Sequence, residues 1–428
     1  MASTYLTRTP SSAGNRQKWT LSAWIKFGNF AGSGGSVLFS AYANTNDNFK
    51  ISFGDTYQLS MRFYNGSEYQ LTLNRLFRDP NSWYHLVFAV DTTLASGGDR
   101  FKIYVNGVRE TSFANANDPT QNLNMTINNT TPMQIGRYST GSNYFDGSMS
   151  HVHLIDGTAY DASAFGETDT TTGEWKAKTS PSVTYGTNGF FILKDSNSVT
   201  DQSGKGNNFT VGGGTLTNLK DNPDNNFATW NPLSRSTGNV YSNCNATVSY
   251  QNNYQKAANA TLTFNNGKYY GEFKRTGGSN LHVGIVGNTF LEDGRIVTDT
   301  SANHTYNMRG HTGCITLISN SGDQDIFVDG SDSGTNVDFN TASGDIVMVA
   351  FDADTKKIWF GKNGTWSGSG NPASGANPSL TYSGTATSDF TFGVDTENGS
   401  VCLANFGNGF FGTTAITTNS GNGYSGAE

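Results

Sequence analysis

The chain has 428 residues, of which 13% are aromatic, 14% are charged and 51 are glycine. This length exceeds what one hydrophobic core usually supports, and the composition favours strands and turns over long helices or disorder, so we expect two β-rich domains. The net charge of -7 without a Lys/Arg cluster argues against nucleic-acid binding. Because no apolar segment suits a signal peptide or a membrane span, we expect neither secretion nor membrane insertion.

The first half of the chain contains short apolar segments separated by Gly, Asn and Asp. In the first of them Trp19, Leu21, Ala23, Ile25 and Phe27 alternate with other residues, which predicts a strand with one apolar face. Further strands are predicted at 37–40, 49–53, 58–64, 69–73 and 145–157. Short strands at this spacing are typical of an antiparallel sandwich.

One pattern occurs twice, at 83–107 and at 345–364. Each copy has an apolar strand ending in Asp, a polar turn, and an aromatic-rich strand ending in Asn-Gly. Asn-Gly permits positive φ, so both copies predict hairpins, and the lack of polar alternation predicts a first strand buried on both faces. We interpret Asp91 and Asp352, which end these strands, as turn caps.

The strand pattern weakens between 158 and 226, where 162–166 suggests one helical turn. The segment 221–226 has Pro, Asn and Asp but no apolar side chain before Phe227, which predicts a linker. We therefore place the domains at 1–220 and 221–428. The predicted fold class is all-β, with two tandem antiparallel jelly-roll sandwiches.

Cysteine and histidine residues give little support for disulfides or metal. Three widely spaced cysteines do not form a disulfide framework, and they fit folding in a reducing cytoplasm. His311 lies three residues before Cys314, a pair that we interpret as a strand edge rather than a metal site. His151 and His153 lie two apart on one strand, and we interpret them as part of a polar outer face.

The sequence lacks a convincing catalytic motif. Glycosidases of sandwich folds use two carboxylates on one strand, in an E-x-D-x-x-E pattern. The nearest match begins Glu167-Thr168-Asp169, but residue 172 is Thr. No nucleophile elbow is present either, so we predict a protein that is not an enzyme.

Aromatic residues flanked by Asn, Asp and Gly are suited to sugars, because ring faces stack on C–H groups while amides and carboxylates bind hydroxyls. Two loops have this composition. One contains Tyr138, Asn143 and Tyr144, and the other contains Trp366. These four residues are the candidate glycan-binding residues; the alternative is that Tyr144 and Trp366 pack on the rim of a sandwich.

Two known domain families share motifs with this chain. The strand at 19–27, Trp83-Tyr84-His85-Leu86-Val87, Ile103-Tyr104-Val105-Asn106-Gly107 and Phe145-Asp146-Gly147 resemble a laminin-G-like, concanavalin-A-like lectin domain. The motifs at 267–273, 344–347, 360–364 and 404–407 resemble a SPRY domain. The first resemblance implies a calcium ion held by loop carboxylates, for which Asp146 and Asp156 are candidates. No other cofactor is expected.

This tandem, together with the opening segment 5–16, resembles proteins of marine tailed bacteriophages. That resemblance implies a virion component assembled in the host cytoplasm: a tail fibre, a tail appendage or a capsid decoration. The expected partners are other virion proteins, further copies of the chain and a host surface glycan, with neither nucleic acid nor membrane insertion. A glucanase-like enzyme and a pure scaffold remain as alternatives.

Overall fold

The computed structural model describes residues 3–28, 35–138, 141, 143–194, 198–233, 238–250, 256–278, 280–292, 307–319, 322–396, 399–411 and 414–415. The chain divides into two compact units, Met1–Asn226 and Phe227–Glu428, hereafter the first and the second unit. Within the described residues, no helix is long and apolar enough to span a membrane.

The first unit is built from sixteen described strands. They are β1 (Tyr5–Arg8), β2 (Lys18–Phe27), β3 (Ser36–Asn44), β4 (Asp47–Phe53), β5 (Gln58–Tyr64), β6 (Glu68–Leu76), β7 (Tyr84–Asp91), β8 (Phe101–Val105), β9 (Val108–Arg109), β10 (Phe113–Asn117), β11 (Met133–Ile135), β12 (Gly147–Asp156), β13 (Gly166–Thr168), β14 (Trp175–Ala177), β15 (Phe190–Ile192) and β16 (Thr210–Gly213). Short 3₁₀ turns lie at Gly97–Asp99 and Ala162–Ala164.

Fourteen of these strands form two antiparallel sheets that enclose one core. The eight-stranded sheet has the order β10-β6-β5-β4-β3-β11-β1-β16, and the six-stranded sheet has the order β15-β12-β2-β7-β8-β9. The alternation predicted for β2 is confirmed, because Trp19, Leu21, Ala23, Ile25 and Phe27 all belong to the core between the sheets.

The six-stranded sheet is buried on its other face as well. Residues 158–186, hereafter the covering segment, include the two-stranded sheet β13-β14 and lie on this face. Val87 and Ile155 of the sheet pack there against Ala162 and Phe165. The prediction that β7 is buried on both faces is therefore confirmed, since Leu86 and Phe88 belong to the central core.

The second unit repeats the sandwich architecture. Its strands are β17 (Val240–Ser242), β18 (Thr247–Ser249), β19 (Lys256–Asn259), β20 (Lys268–Arg275), β21 (Leu281–Val286), β22 (Cys314–Ser319), β23 (Asp325–Val328), β24 (Ser331–Asn336), β25 (Ile346–Asp352), β26 (Lys357–Lys362), β27 (Thr365–Trp366), β28 (Leu380–Thr381), β29 (Thr391–Thr396), β30 (Val401–Asn405), β31 (Phe410–Phe411) and β32 (Thr414–Ala415). The helical pieces are α1 (Asn288–Glu292) and 3₁₀ turns at Met308–Gly310 and Ser367–Ser369.

The larger sheet of the second unit has the order β17-β18-β30-β20-β25-β26-β27, with β28 also paired to β26. The smaller sheet has the order β19-β29-β21-β22-β23-β24, and β31 pairs with β32. Val347, Val349 and Phe351 of β25 face the core. The predicted fold class, all-β with two tandem antiparallel sandwiches, is confirmed.

The two Asn-Gly hairpin predictions are confirmed by the backbone. Asn106 and Gly107 have φ of 47° and 83°, and Asn363 and Gly364 have φ of 47° and 88°. Positive φ at both central residues is the geometry that lets a two-residue turn follow the twist of its strands. The second of these turns lies beside the main groove of the second unit.

The segment predicted to be a linker is attached to the first unit by buried polar contacts. The Lys26 ammonium, fully buried on β2, lies 2.7 Å from the Asp221 carboxylate. Trp83 Nε1 donates to the other oxygen of Asp221 at 2.8 Å, and Lys26 also donates to Asn226 Oδ1 at 2.8 Å. Residues 221 and 226 therefore close the first unit.

Candidate functional site

A groove of about 670 Å³ lies on the outer face of the larger sheet of the second unit. Its floor follows the strand register, in which Glu272 of β20 pairs with Met348 of β25, Met348 with Gly361 of β26, and Gly361 with Trp366 of β27. These residues form one row across four strands, because paired residues project to the same side of a sheet. The groove contains Trp366, one of the candidate glycan-binding residues.

Glycine at position 361 allows the Trp366 ring to lie against this sheet. A Cβ at Gly361 would lie 2.5 Å from Met348 Cε and 3.0 Å from Trp366 Cε3. Any side chain here would thus push the indole away from the floor. The half-buried Trp366 ring also meets Tyr270 edge to face, with centroids 6.0 Å apart. Two aromatic rings therefore border one side of the groove.

A buried carboxylate lies at the other end of the row. Glu272 is 6% exposed and accepts hydrogen bonds of 2.8 Å from the Tyr270 hydroxyl and from Asn405 Nδ2. These contacts fix the orientation of both carboxylate oxygens. Phe273 is a core residue, so strand alternation could have predicted that Tyr270 and Glu272 share the outer face, but neither is among the candidate glycan-binding residues predicted from the sequence.

The wall of the groove is formed by residues 370–373 and by the turn at Asn363 and Gly364. Lys268 Nζ donates to the carbonyl oxygens of Ala373 at 2.9 Å and Pro372 at 3.3 Å. The Asn363 amide donates to Asp345 at 2.7 Å, so this side chain mainly holds its turn. The groove is thus built on a sheet and on loops tied by hydrogen bonds.

The other candidate glycan-binding residues lie in the first unit. Tyr138 donates to Asn48 Oδ1 at 3.2 Å, and its ring packs edge to face on Tyr42. Asn143 donates to the Gly35 carbonyl at 3.2 Å. The half-buried Tyr144 ring lies 6.4 Å from that of Tyr5. Among the described residues, no ring contact or hydrogen bond joins Tyr138 to Tyr144, and residues 139, 140 and 142 lie outside the described ranges.

The two candidate calcium ligands lie at opposite ends of β12. Asp146 directly precedes this ten-residue strand and Asp156 ends it, a separation of about 30 Å for extended backbone. The Asp156 carboxylate accepts hydrogen bonds from the backbone amides of Asn15 (2.6 Å) and Asn188 (2.9 Å). Across the described residues, no three His, Cys, Asp or Glu side chains are grouped to hold a metal ion. The two residues cannot share one ion.

Histidines form a buried layer beneath the covering segment. Trp175 Nε1 donates to His85 Nδ1 at 2.9 Å, so His85 Nε2 carries the proton and donates to Ser22 Oγ at 2.8 Å. Burial, with a smaller effect of His151, lowers the pKa of His85 to about 3. His85 is therefore neutral, and it cannot act as a base toward Ser22.

The predicted polar outer face at His151 and His153 is wrong. The pairing of β12 with β2 shifts between Ser150 and His153, a β-bulge, and both histidines are buried, His153 against Phe165 and Tyr185 of the covering segment. The His153 ring stacks on Phe191 with centroids 3.9 Å apart. Burial, with smaller effects of His151 and His85, holds the pKa of His153 well below its usual range.

The Glu167 and Asp169 pair lies at the two-stranded sheet of the covering segment. Asp169 accepts from the backbone of Thr171 and Thr172 and forms an ion pair of 2.9 Å with Lys176. Lys176 and these hydrogen bonds hold the pKa of Asp169 below its usual range. Asp169 thus shapes a turn. Among the described residues, Cys244, Cys314 and Cys402 are buried and take part in no disulfide.

A known family model matches part of the first half of the chain. Residues 2–163 match the family model described as the concanavalin A-like lectin/glucanases superfamily, which confirms the laminin-G, concanavalin-A-like domain type for that part of the chain. No curated protein matches the chain. The resemblance of the second half to SPRY domains is not covered by this family match.

Several solved structures are similar to parts of this chain. The SPRY domain of human HERC1 is 13% identical and covers 41% of this chain and 96% of its own, with a TM-score of 0.30. A heptameric SAP-like pentraxin from Limulus polyphemus is 14% identical and covers 45% of this chain and 90% of its own, with a TM-score of 0.29. A putative carbohydrate binding protein from Bacteroides ovatus is 16% identical and covers 52% of this chain and 61% of its own, with a TM-score of 0.30.

Proposed function

We propose that this chain is a carbohydrate-binding protein without enzymatic activity, and that the groove containing Trp366 binds a glycan. The observation that carries the proposal is the row from Glu272 to Trp366, which combines an accessible indole with a fixed carboxylate on one rigid sheet. The volume of about 670 Å³ is within the range of small-molecule sites. It accommodates a short oligosaccharide.

The chemistry of the groove is suited to sugar rings. The Trp366 and Tyr270 rings offer apolar faces and edges to C–H groups, and the Glu272 carboxylate beside them is an acceptor of the kind that binds sugar hydroxyls. Because Glu272 is held by Tyr270 and Asn405, little side-chain entropy is lost when the ligand binds.

We propose a binding site rather than a catalytic one because of the number of carboxylates in the groove. Of the described residues that line it, Glu272 alone carries a carboxylate. Retaining and inverting glycosidases generally need two carboxyl groups on opposite sides of the scissile bond. A glucanase-like activity would need a second acid brought from elsewhere.

A role in a virion is the biological setting that we propose for this binding. It is supported by the resemblance of the tandem and of segment 5–16 to tailed-phage proteins. In that setting the chain is a tail fibre, tail appendage or capsid decoration that assembles with copies of itself and with other virion proteins. Mass spectrometry of purified particles of a phage that encodes it tests this setting, which absence of the chain from the particles would contradict.

The binding proposal is tested with Trp366→Ala on a glycan array. We expect the full-length wild-type protein to bind one or more glycans and Trp366→Ala to bind them at least about fivefold more weakly, since loss of a stacked ring costs about 1 kcal/mol or more. Tyr269→Ala is the control, because it removes an exposed ring outside the groove. If wild type binds no glycan, the scaffold alternative holds; release of reducing sugar would establish the enzyme alternative.

A further inference from the structure

Two cations face each other on the outer surface of the eight-stranded sheet of the first unit. Lys50 of β4 and Arg62 of β5 are direct partners in the antiparallel register, while their neighbours Phe49, Ile51 and Met61 point into the core. Like charges placed directly opposite each other destabilise a sheet. This cation pair needs a compensating anion.

The protein supplies only part of that compensation. Arg62 Nε lies 2.6 Å from Glu68, and its Nη1 donates to Asn48 at 3.2 Å, whereas its Nη2 has no partner among the described residues. Lys50 has no carboxylate within 4.0 Å in the described part of the chain. Its ammonium lies 5.4 Å above the Tyr138 ring. One positive charge therefore remains uncompensated.

The environment of Lys50 adds to this imbalance. Burial lowers the pKa of Lys50, and the charge of Arg62 lowers it further, against the smaller opposite effect of Glu68. A bound anion would reverse this effect of Arg62 by stabilising the charged ammonium. Because the whole chain carries a net charge of -7, the local positive charge does not reflect a generally basic protein.

Polar side chains continue the row of the cation pair across the sheet. In the strand register Gln70 of β6 is the partner of Arg62, and Ser40 of β3 is the partner of Lys50; Ser40 is buried and its hydroxyl donates to the Arg137 carbonyl at 2.8 Å. Adjacent strands lie about 4.8 Å apart, which is of the order of one sugar ring. Tyr42 and Tyr138 border this row, with ring centroids 5.8 Å apart.

We propose that this face of the first unit binds an acidic polysaccharide, with a uronate carboxylate held between Lys50 Nζ and Arg62 Nη2. A planar carboxylate offers two oxygens to the two donors, and charge-assisted hydrogen bonds of this kind are about twice as strong as neutral ones. Tyr42, Tyr138 and Gln70 contact the sugar around that carboxylate. The proposal concerns a different unit from the Trp366 groove and does not depend on it.

Affinity electrophoresis of the full-length protein in gels containing polygalacturonate tests this proposal. We expect Lys50→Gln and Arg62→Gln each to weaken retardation by about tenfold in apparent affinity. Lys205→Gln, which removes the same charge from an exposed loop, serves as the control and should bind like wild type. Trp366→Ala should also bind polygalacturonate normally, which separates this site from the proposed glycan groove.

Several outcomes would overturn the proposal. Wild type that is not retarded by polygalacturonate, or Lys50→Gln that is retarded as strongly as wild type, would exclude the site. Retardation by dextran sulfate but not by polygalacturonate would exclude a carboxylate as the bound group. Retardation by single-stranded DNA as strong as that by polygalacturonate would show unspecific charge attraction. Thermal unfolding distinguishes folding defects, because Lys50→Gln relieves repulsion and should not lower the unfolding temperature.

Discussion

At the scale of single residues, the buried ion pair between Lys26 and Asp221 has the clearest energetic consequence. The ammonium and the carboxylate are both removed from water, and Trp83 and Asn226 occupy further hydrogen-bonding positions. Removing one partner of such a pair leaves an uncompensated buried charge, whereas removing both costs much less.

We therefore expect Asp221→Ala to lower the free energy of unfolding of the first unit by about 3 to 5 kcal/mol. The double variant Lys26→Met/Asp221→Ala should recover part of that loss, because no charge is then left alone. Urea unfolding of the four proteins of this double-mutant cycle measures the coupling. Equal losses in the single and double variants would show that the ion pair is not the source of the stability.

Several residue-level features could be predicted from the sequence. The alternation in β2 predicted its core face, which is confirmed. The composition around Trp366 predicted a glycan-binding residue; Trp366 lies in the groove, and glycan binding there stays a prediction. The pairing of Lys50 with Arg62 could not be predicted, because it depends on the register between β4 and β5. Asp146 and Asp156 looked alike in sequence, yet one directly precedes the ten-residue strand β12 and the other is its last residue.

At the scale of elements, the covering segment was the hardest part to predict. Its strands β13 and β14 have three residues each, and its contacts come from scattered aromatic side chains such as Trp175 and Phe165. Such short strands carry no clear periodicity. The bulge in β12 was hidden for a similar reason, since one shifted residue changes which face His151 occupies.

The histidine layer under the covering segment predicts a loss of stability in acid. His85 and His153 have lowered pKa values in the folded state, so below about pH 6.5 the unfolded chain binds protons that the folded chain does not. The stability they contribute is present above pH 6.5 and is lost as the pH falls toward 3. His85, with a folded-state pKa of about 3, should alone cost about 2 kcal/mol between pH 6.5 and 4.5, and His153 adds to the loss in the same direction.

Thermal unfolding of the first unit, followed by tryptophan fluorescence between pH 7.5 and 4.5, measures this loss. His85→Gln/His153→Gln should flatten the pH dependence even though it lowers stability at neutral pH. His151 faces the same layer and affects the pKa of both histidines, so His151→Gln is a useful third variant. If the unfolding temperature of the double variant depends on pH as steeply as that of wild type, other groups cause the pH dependence.

At the scale of the whole molecule, the two compact units meet in sequence at Asn226 and Phe227. The sequence predicted two sandwiches from its length and its repeated hairpin pattern. It placed residues 221–226 in the second domain because Pro, Asn and Asp without an apolar side chain are typical of a linker. Burial of Asp221 depends on Lys26, which lies 195 residues earlier in the chain, and such a distant contact is not visible in local composition.

Truncation tests how the first unit is completed. We expect a protein ending at residue 226 to fold, whereas one ending at residue 220 should be less stable by an amount similar to Asp221→Ala, since both lack the carboxylate that pairs with Lys26. Circular dichroism melting of the two proteins makes the comparison. If the protein ending at residue 220 has the same melting temperature as the protein ending at residue 226, residues 221–226 do not complete the first unit.

The attachment of residues 221–226 also has a mechanical consequence. A pulling force transmitted along the chain from Phe227 enters the first unit at Asn226 and then at Asp221. Lys26, which binds both residues, belongs to β2 in the interior of the six-stranded sheet. Tension would thus load a buried electrostatic contact anchored on a central strand before it could peel an edge strand from the sandwich.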